Sequence, residues 1–140
     1  MKKVLLFILS LSIVTFSCSS DSDGVSINQD LVGTWEGTVM GTGCFVELVL
    51  EDDATGILEV YGGEDCNEYE ELTWNASSSL LTLNYIIKSL DENGNYVVDD
   101  GGNYVYEVYD SDVLNYELDS TGEVLNVTDE DGDTTTLYAS

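Results

Sequence analysis

The sequence predicts an all-β fold, an antiparallel up-and-down barrel of about eight to ten strands. From Leu31 onward, short segments alternate apolar with polar residues, and none carries the period of an amphipathic helix. The 140-residue chain contains no proline and many aromatic and β-branched residues, a composition that favours strands. Strands that each bury one face and follow one another through short turns close most simply into a barrel, which leaves no exposed sheet edge.

The segment from Leu80 to Lys88 is the clearest predicted strand. Leu81, Leu83, Tyr85 and Ile87 fall on one face, and mostly polar residues fall on the other. We therefore expect one face to lie in the core and the other in water. The same alternation predicts further strands, whose inward residues would be Val46, Leu48 and Leu50; Tyr104, Tyr106 and Val108; Leu114, Tyr116 and Leu118; and Leu125 and Val127.

Short stretches of turn-forming residues predict the connections between these strands. We assign turns to residues 51–56, 76–79, 110–112, 120–122 and 129–133. Connections this short join antiparallel neighbours. The longer stretch 91–103 is irregular and is interpreted as either an extended hairpin or a mobile loop.

The N-terminal residues have the pattern of a secretory signal. Lys2 and Lys3 precede an apolar run that is too short to span a bilayer, so residues 1–17 are predicted to be a cleaved signal peptide. The next residue, Cys18, resembles the lipidated cysteine of bacterial lipoproteins, and residues 18–30 would form a lipidated N-terminus and acidic tether. The acidic residues after Cys18 also resemble the signal that exports Bacteroidetes lipoproteins to the cell surface.

This resemblance implies a location and a domain division. The protein would be lipid-anchored at the outer membrane and exposed at the cell surface, with a barrel domain over residues 31–140; a periplasmic orientation is left open. Two or more acyl chains give durable anchoring while the polypeptide stays in water. A plain secreted protein is the alternative.

The charge balance excludes several classes of function. The chain has 28 acidic side chains, three lysines, no arginine and no histidine. Nucleic-acid binding is excluded because it needs cations that face the phosphates. Histidine-dependent triads and histidine-built zinc or haem sites are excluded as well. A glycosidase-type carboxylate pair is the one catalytic arrangement left, and we expect no enzymatic activity.

The same charge indicates which partners are favoured. Without residues 1–17, Lys88 is the only basic side chain. Calcium ions and cationic proteins are therefore attracted, and anionic surfaces are repelled. A solvated acidic surface that binds nothing in particular is the simpler interpretation.

Cys44 and Cys66 are predicted to form a disulfide, because both lie in the exported part of the chain. The bridge would close a loop of about twenty residues and contribute about 3 kcal/mol in the chain-entropy model. A redox role is not indicated, since the chain has no CxxC spacing.

The start of the barrel carries a glycine two residues before a tryptophan, Gly33 and Trp35. Together with Cys44, Cys66 and the following Trp74, this order of features resembles the lipocalin-like lipoproteins of Bacteroidetes over residues 31–138. The resemblance implies that the Trp35 indole plugs one end of the barrel and that Gly33 allows close approach of the backbone. It also implies a barrel able to hold a small ligand.

Several aromatic residues are candidates for the lining of such a barrel. An amphipathic lining would suit a lipid, a pigment or a sugar, whereas aromatic packing inside a filled barrel is the simpler interpretation. The candidates are Trp74, Tyr85, Tyr104, Tyr106 and Tyr116, with Tyr61 and Tyr69 as further tyrosines of the same kind.

Two turns place oxygen-bearing residues around a glycine, over residues 91–95 and 129–133. Asp129, Asp131 and Asp133 are the candidate ligands for weak calcium binding, because carboxylate oxygens suit this hard cation. Neither turn completes an EF-hand. The same residues are typical of hairpin tips, where glycine takes a positive φ without strain.

Two functions follow from these observations. The first is binding of a small apolar or amphipathic ligand inside the barrel. The alternative is an acidic surface module that binds or inhibits a cationic protein such as lysozyme, with or without weak calcium binding.

Overall fold

The structure, a computed structural model, describes residues 27–39 and 41–140. Within them, one 3-10 helix (Gln29–Leu31) precedes eight strands, and no helix has the length and apolar character needed to cross a membrane. The predicted signal peptide, Cys18 and the tether up to residue 26 lie outside the described residues. The strands are β1 (Gly33–Thr38), β2 (Phe45–Leu50), β3 (Thr55–Gly63), β4 (Cys66–Ala76), β5 (Leu80–Lys88), β6 (Tyr106–Leu118), β7 (Val124–Thr128) and β8 (Thr134–Ala139).

Every strand pairs antiparallel with its neighbours in sequence, and β8 pairs with β1 to close the barrel. Trp35 shows the closure, because it lies opposite Leu48 on one side and Ala139 on the other. The predicted antiparallel up-and-down barrel is confirmed, with eight strands.

The predicted strand over residues 80–88 is confirmed as β5. Leu81 and Leu83 are buried in the core, and Tyr85 is partly buried, as its alternation requires. Ile87 was expected on the same inner face but is exposed. The β5–β6 pair continues past the end of the barrel at this point, so the inward direction no longer leads to a core.

The predicted turn at residues 110–112 is wrong. These residues lie inside β6, which runs without interruption from Tyr106 to Leu118. The pairing with β5 changes register between Tyr85 and Ile86, which leaves Tyr109 without an opposite residue. The β-bulge thus lies at Tyr109, and the acidic segment after it, which resembles a turn in sequence, pairs regularly with β5.

Two glycines of β1 meet different requirements. Gly33 has φ +150°, which L side chains rarely adopt, but a Cβ there would meet nothing within 4 Å. The close approach expected at Gly33 occurs instead at Gly37, where a Cβ would lie 2.5 Å from the Thr136 carbonyl oxygen. Gly33 is therefore needed for its backbone conformation, and Gly37 for the closeness of β8.

Cys44 and Cys66 form the predicted disulfide, with a Cα–Cα distance of 5.5 Å and a sequence separation of 22 residues. The bond joins the end of the loop between β1 and β2 to the first residue of β4. It thus ties together two connections at the same end of the barrel.

The connection between β5 and β6 forms a three-way junction. Ser89, Val97 and Val105 make a ring of three backbone hydrogen bonds, in which each N–H donates to the carbonyl of another member at 2.8 to 2.9 Å. Two short arms, residues 90–96 and 98–104, leave the ring, and the paired strands β5 and β6 are the third branch. Of the two interpretations left open by the sequence, the structure thus resembles the extended hairpin, in branched form.

The two arms repeat each other. In each, an aspartate Oδ1 accepts the backbone N–H groups of the residues two and four positions later, at 2.8 to 2.9 Å. The hydrogen bonds from the backbone of Asn95 and Asn103 hold the pKa of Asp91 and Asp99 below the usual 3.8. The ionised carboxylates therefore stabilise the arms.

Acid is expected to loosen these arms before the barrel. Because the pKa of Asp91 and Asp99 is lower in the folded than in the unfolded chain, their stabilisation is present above 3.8 and is lost as the pH falls through the folded value. A pH titration followed by NMR should show the Asn95 and Asn103 amides shifting with midpoints below 3.8.

The Asp91→Asn variant is the matched control, since it should abolish the transition at Asn95 and leave that at Asn103. Midpoints at or above 3.8 in the unmodified protein would contradict the assignment.

Candidate ligand-binding site

One end of the barrel is plugged by two indoles. Trp35 Nε1 donates to the Leu31 carbonyl at 2.9 Å, and Trp74 Nε1 donates to the Glu51 carbonyl at 3.0 Å. Both side chains are almost completely buried. The polar edge of each ring is therefore satisfied at the barrel end while its apolar body fills the interior.

Tyr116 completes this plug. Its hydroxyl donates to the Ser77 carbonyl at 2.6 Å and accepts from the Asn28 Nδ2 at 3.0 Å. Ile27 packs against the same core, so residues assigned to the tether by sequence contribute to the folded body. The interior of this end, which we call the plugged end, is filled by these buried side chains.

The opposite half of the barrel contains a cavity of about 270 Å³. We call this the open end, where the disulfide, the three-way junction and the turn between β7 and β8 lie. Residues from six of the eight strands, together with Val39 just after β1, line the cavity, so it lies inside the barrel. Its apolar wall consists of Val39, Val46, Leu48, Leu58, Leu83, Leu114, Val127 and Leu137.

Polar groups surround the mouth of the cavity. The Tyr85 hydroxyl donates to Asp112 Oδ2 at 2.6 Å, and both residues line the cavity. Burial raises the pKa of the Tyr85 phenol far above its usual value, and the hydrogen bond to the carboxylate raises it further. The hydroxyl therefore remains a donor. Nearby, the Tyr109 hydroxyl donates to the Glu70 carboxylate, which raises the pKa of Tyr109 to about 12.

The predicted calcium turn lies at the same mouth. Asp129 and Asp133 line the cavity, and Asp129 Oδ1 accepts the backbone N–H groups of Asp131 and Asp133 at 3.0 and 2.9 Å. Within residues 27–39 and 41–140, no group of three or more acidic or cysteine side chains is arranged to hold a metal ion. The geometry is that of a hairpin turn, and calcium binding stays a prediction.

The predicted lining residues lie in three different places. Trp74 and Tyr116 belong to the plug, and Tyr85 alone lines the cavity. Tyr104 and Tyr106 were expected inside but are 53% and 47% exposed, beyond the end of the barrel. Tyr106 pairs with Lys88 on the outer face, because the β-bulge at Tyr109 reverses the alternation of β6. Tyr104 lies outside β6, in the arm where it pairs with Val98.

Tyr104 and Tyr106 instead line an outer groove of about 540 Å³. Lys88 also lies there, with its Nζ 2.8 Å from Glu71 Oε2 and 5.1 Å from the centre of the Tyr104 ring. Tyr61 and Tyr69, the other tyrosines considered for the lining, are exposed as well. Most of the tyrosines considered for the lining therefore lie on the outer surface and not in the cavity.

Sequence reasoning missed Asp112 as a cavity residue, because it was assigned to a turn. A signal for its placement exists, since Asp112, Leu114, Tyr116 and Leu118 follow one another at alternate positions. The inner face of β6 continues through the acidic segment to the mouth.

No family model, curated protein or solved structure matches this chain. The closed barrel of eight antiparallel strands is consistent with a lipocalin-like fold.

Proposed function

We propose that this protein binds a small apolar or amphipathic ligand in the open half of its barrel. The observation that carries the proposal is the cavity of about 270 Å³, with an apolar wall and a few polar groups at its mouth. Concave, mostly apolar sites with few polar groups are typical of small-molecule binding. Aromatic packing of the plugged end supports the wall without occupying the cavity.

The volume limits the size of the ligand. At roughly 30 Å³ for each water-sized group, the cavity holds about nine such groups. A complete phospholipid or a large pigment exceeds this space, whereas a small aromatic molecule or a short amphiphile fits. The cavity therefore admits a narrower class of ligands than the lipids, pigments and sugars considered from the sequence.

Filling the cavity should abolish binding. Val127 lines the cavity and is 9% exposed, whereas Val113 on the neighbouring strand is 55% exposed. Val127→Phe is expected to weaken binding of 2-phenylethanol, whose non-hydrogen atoms match the available space, by at least about tenfold. NMR titration of the full chain would measure the affinity, and Val113→Phe should leave it unchanged.

Thermal unfolding would check that Val127→Phe folds. Thr135 on β8 also lines the cavity, and Thr135→Leu provides a second substitution there. The proposal is rejected if 2-phenylethanol fails to bind the unmodified protein saturably at the cavity residues. Equal affinity in all variants would also reject it.

We further propose that Cys18 carries a lipid that anchors the protein at the outer membrane. The support is the sequence of residues 1–18 alone. Cys18→Ser should remove the incorporation of labelled fatty acid and release the protein from the membrane fraction. A Cys44→Ser, Cys66→Ser double variant should keep the label, and an unlabelled wild-type chain would refute the anchor.

A second function, binding of a cationic protein, is favoured by the outer surface. Ten of the fifteen exposed large apolar or aromatic side chains in the described residues lie between residues 87 and 113. Acidic residues such as Glu107 and Asp110 lie among them on β6. Exposed apolar groups concentrated in one region, with polar neighbours, are typical of interaction surfaces.

Lysozyme serves as the cationic probe for this alternative. Binding should weaken steeply as salt rises towards 1 M, where the Debye length falls to about 3 Å. Tyr106→Ser should lower the affinity at least about fivefold, and Tyr138→Ser, at a somewhat more exposed tyrosine on β8, should not. Absent or salt-insensitive association in surface plasmon resonance would count against this function.

A further inference from the structure

The mouth of the cavity carries acidic groups without a cation to balance them. Asp112, Asp129 and Asp133 line the cavity, and none of its lining residues is basic. They come from β6 and from the turn between β7 and β8, so the carboxylates flank the mouth from separate elements. The apolar wall lies below them.

Lys88 is the one basic side chain among the described residues, and it is engaged elsewhere. Its ammonium lies 2.8 Å from Glu71 Oε2 and faces the rings of Tyr96 and Tyr104. The hydrogen bond to Glu71 also raises the pKa of Lys88, which keeps it charged. Lys88 lines the outer groove and does not line the cavity.

Asp112 is oriented towards a ligand by its neighbour. The Tyr85 hydroxyl donates to Oδ2 at 2.6 Å, and burial raises the pKa of this tyrosine, so it remains a donor. A carboxylate can accept several hydrogen bonds through its two oxygens, so Oδ1 retains acceptor capacity. An N–H donor at the mouth can therefore bind Asp112 without displacing Tyr85.

We propose that the cavity selects small amphiphiles with an ammonium head group, whose apolar body lies against the wall and whose cation binds Asp112 at a mouth that Asp129 and Asp133 also line. This inference rests on the proposed binding function and specifies its ligand class. Opposite charges attract strongly next to a wall of low dielectric constant, whereas a carboxylate head would meet three like charges. Neutral analogues gain only the burial of the apolar body.

Three probes with one body and different head groups test this selection. The probes are 2-phenylethylamine, 2-phenylethanol and 3-phenylpropanoate, each titrated into the full chain by NMR at low salt. The amine should bind at least about tenfold tighter than the alcohol, and the carboxylate should bind more weakly than either. Added salt should reduce the difference between the amine and the alcohol.

Charge-neutralising variants test whether the preference for the amine comes from the carboxylates at the mouth. Asp112→Asn and Asp133→Asn should each lower the affinity for the amine several-fold and leave the affinity for the alcohol unchanged. Glu123→Gln is the matched control, since it removes one exposed negative charge at the plugged end. It should change none of the three affinities.

The outcomes separate this inference from the function on which it rests. If no probe binds at the cavity, the proposed function fails. If the alcohol or the carboxylate binds as tightly as the amine, the cavity binds ligands but the selection of cations is overturned. The same conclusion follows if Glu123→Gln weakens amine binding as much as Asp112→Asn.

Discussion

The closure between β1 and β8 is the contact on which the rest of the structure depends. Gly37 makes it possible, because a Cβ at this position would lie 2.5 Å from the Thr136 carbonyl oxygen and 2.7 Å from Leu137 Cδ2. Without this seam, the sheet would have two unpaired edges, and neither the plug nor the cavity would be enclosed. The disulfide adds a restraint at the open end, worth about 3 kcal/mol for a loop of this length in the chain-entropy model.

Large and small side chains occupy different halves of the barrel interior. Trp35, Trp74 and Tyr116 fill the plugged end, and their polar atoms bond to the backbone or to Asn28. In the described residues, no buried side-chain nitrogen or oxygen lacks a hydrogen-bond partner. Leucines and valines line the other half and leave space between them. Residues such as Leu48 and Leu83 therefore belong both to the core and to the wall of the cavity.

The sequence predicts faces of strands better than positions along them. Leu81 and Leu83 were placed in the core correctly because alternation identifies the inner face of β5. Tyr106 was misplaced because alternation does not reveal the β-bulge at Tyr109, and Tyr104 because it lies in the arm beyond β6. Asp112 was missed because a segment with the composition of a turn continues β6 and pairs regularly with β5. The fold was thus largely predictable. The position of the cavity depends on the register between strands and on how far along the barrel each residue lies, which local patterns do not encode.

The acidity of the chain has separate structural and functional parts. Asp91, Asp99, Asp119 and Asp129 each begin a turn and accept backbone N–H groups through Oδ1. Their charge is explained by the hairpins that they stabilise, so net charge alone says little about partners. Asp112 lies within a strand, accepts a hydrogen bond only from the Tyr85 hydroxyl among the contacts described, and lines the cavity. A carboxylate with no turn to stabilise, placed at the edge of an apolar cavity, is therefore the more informative acidic group for function.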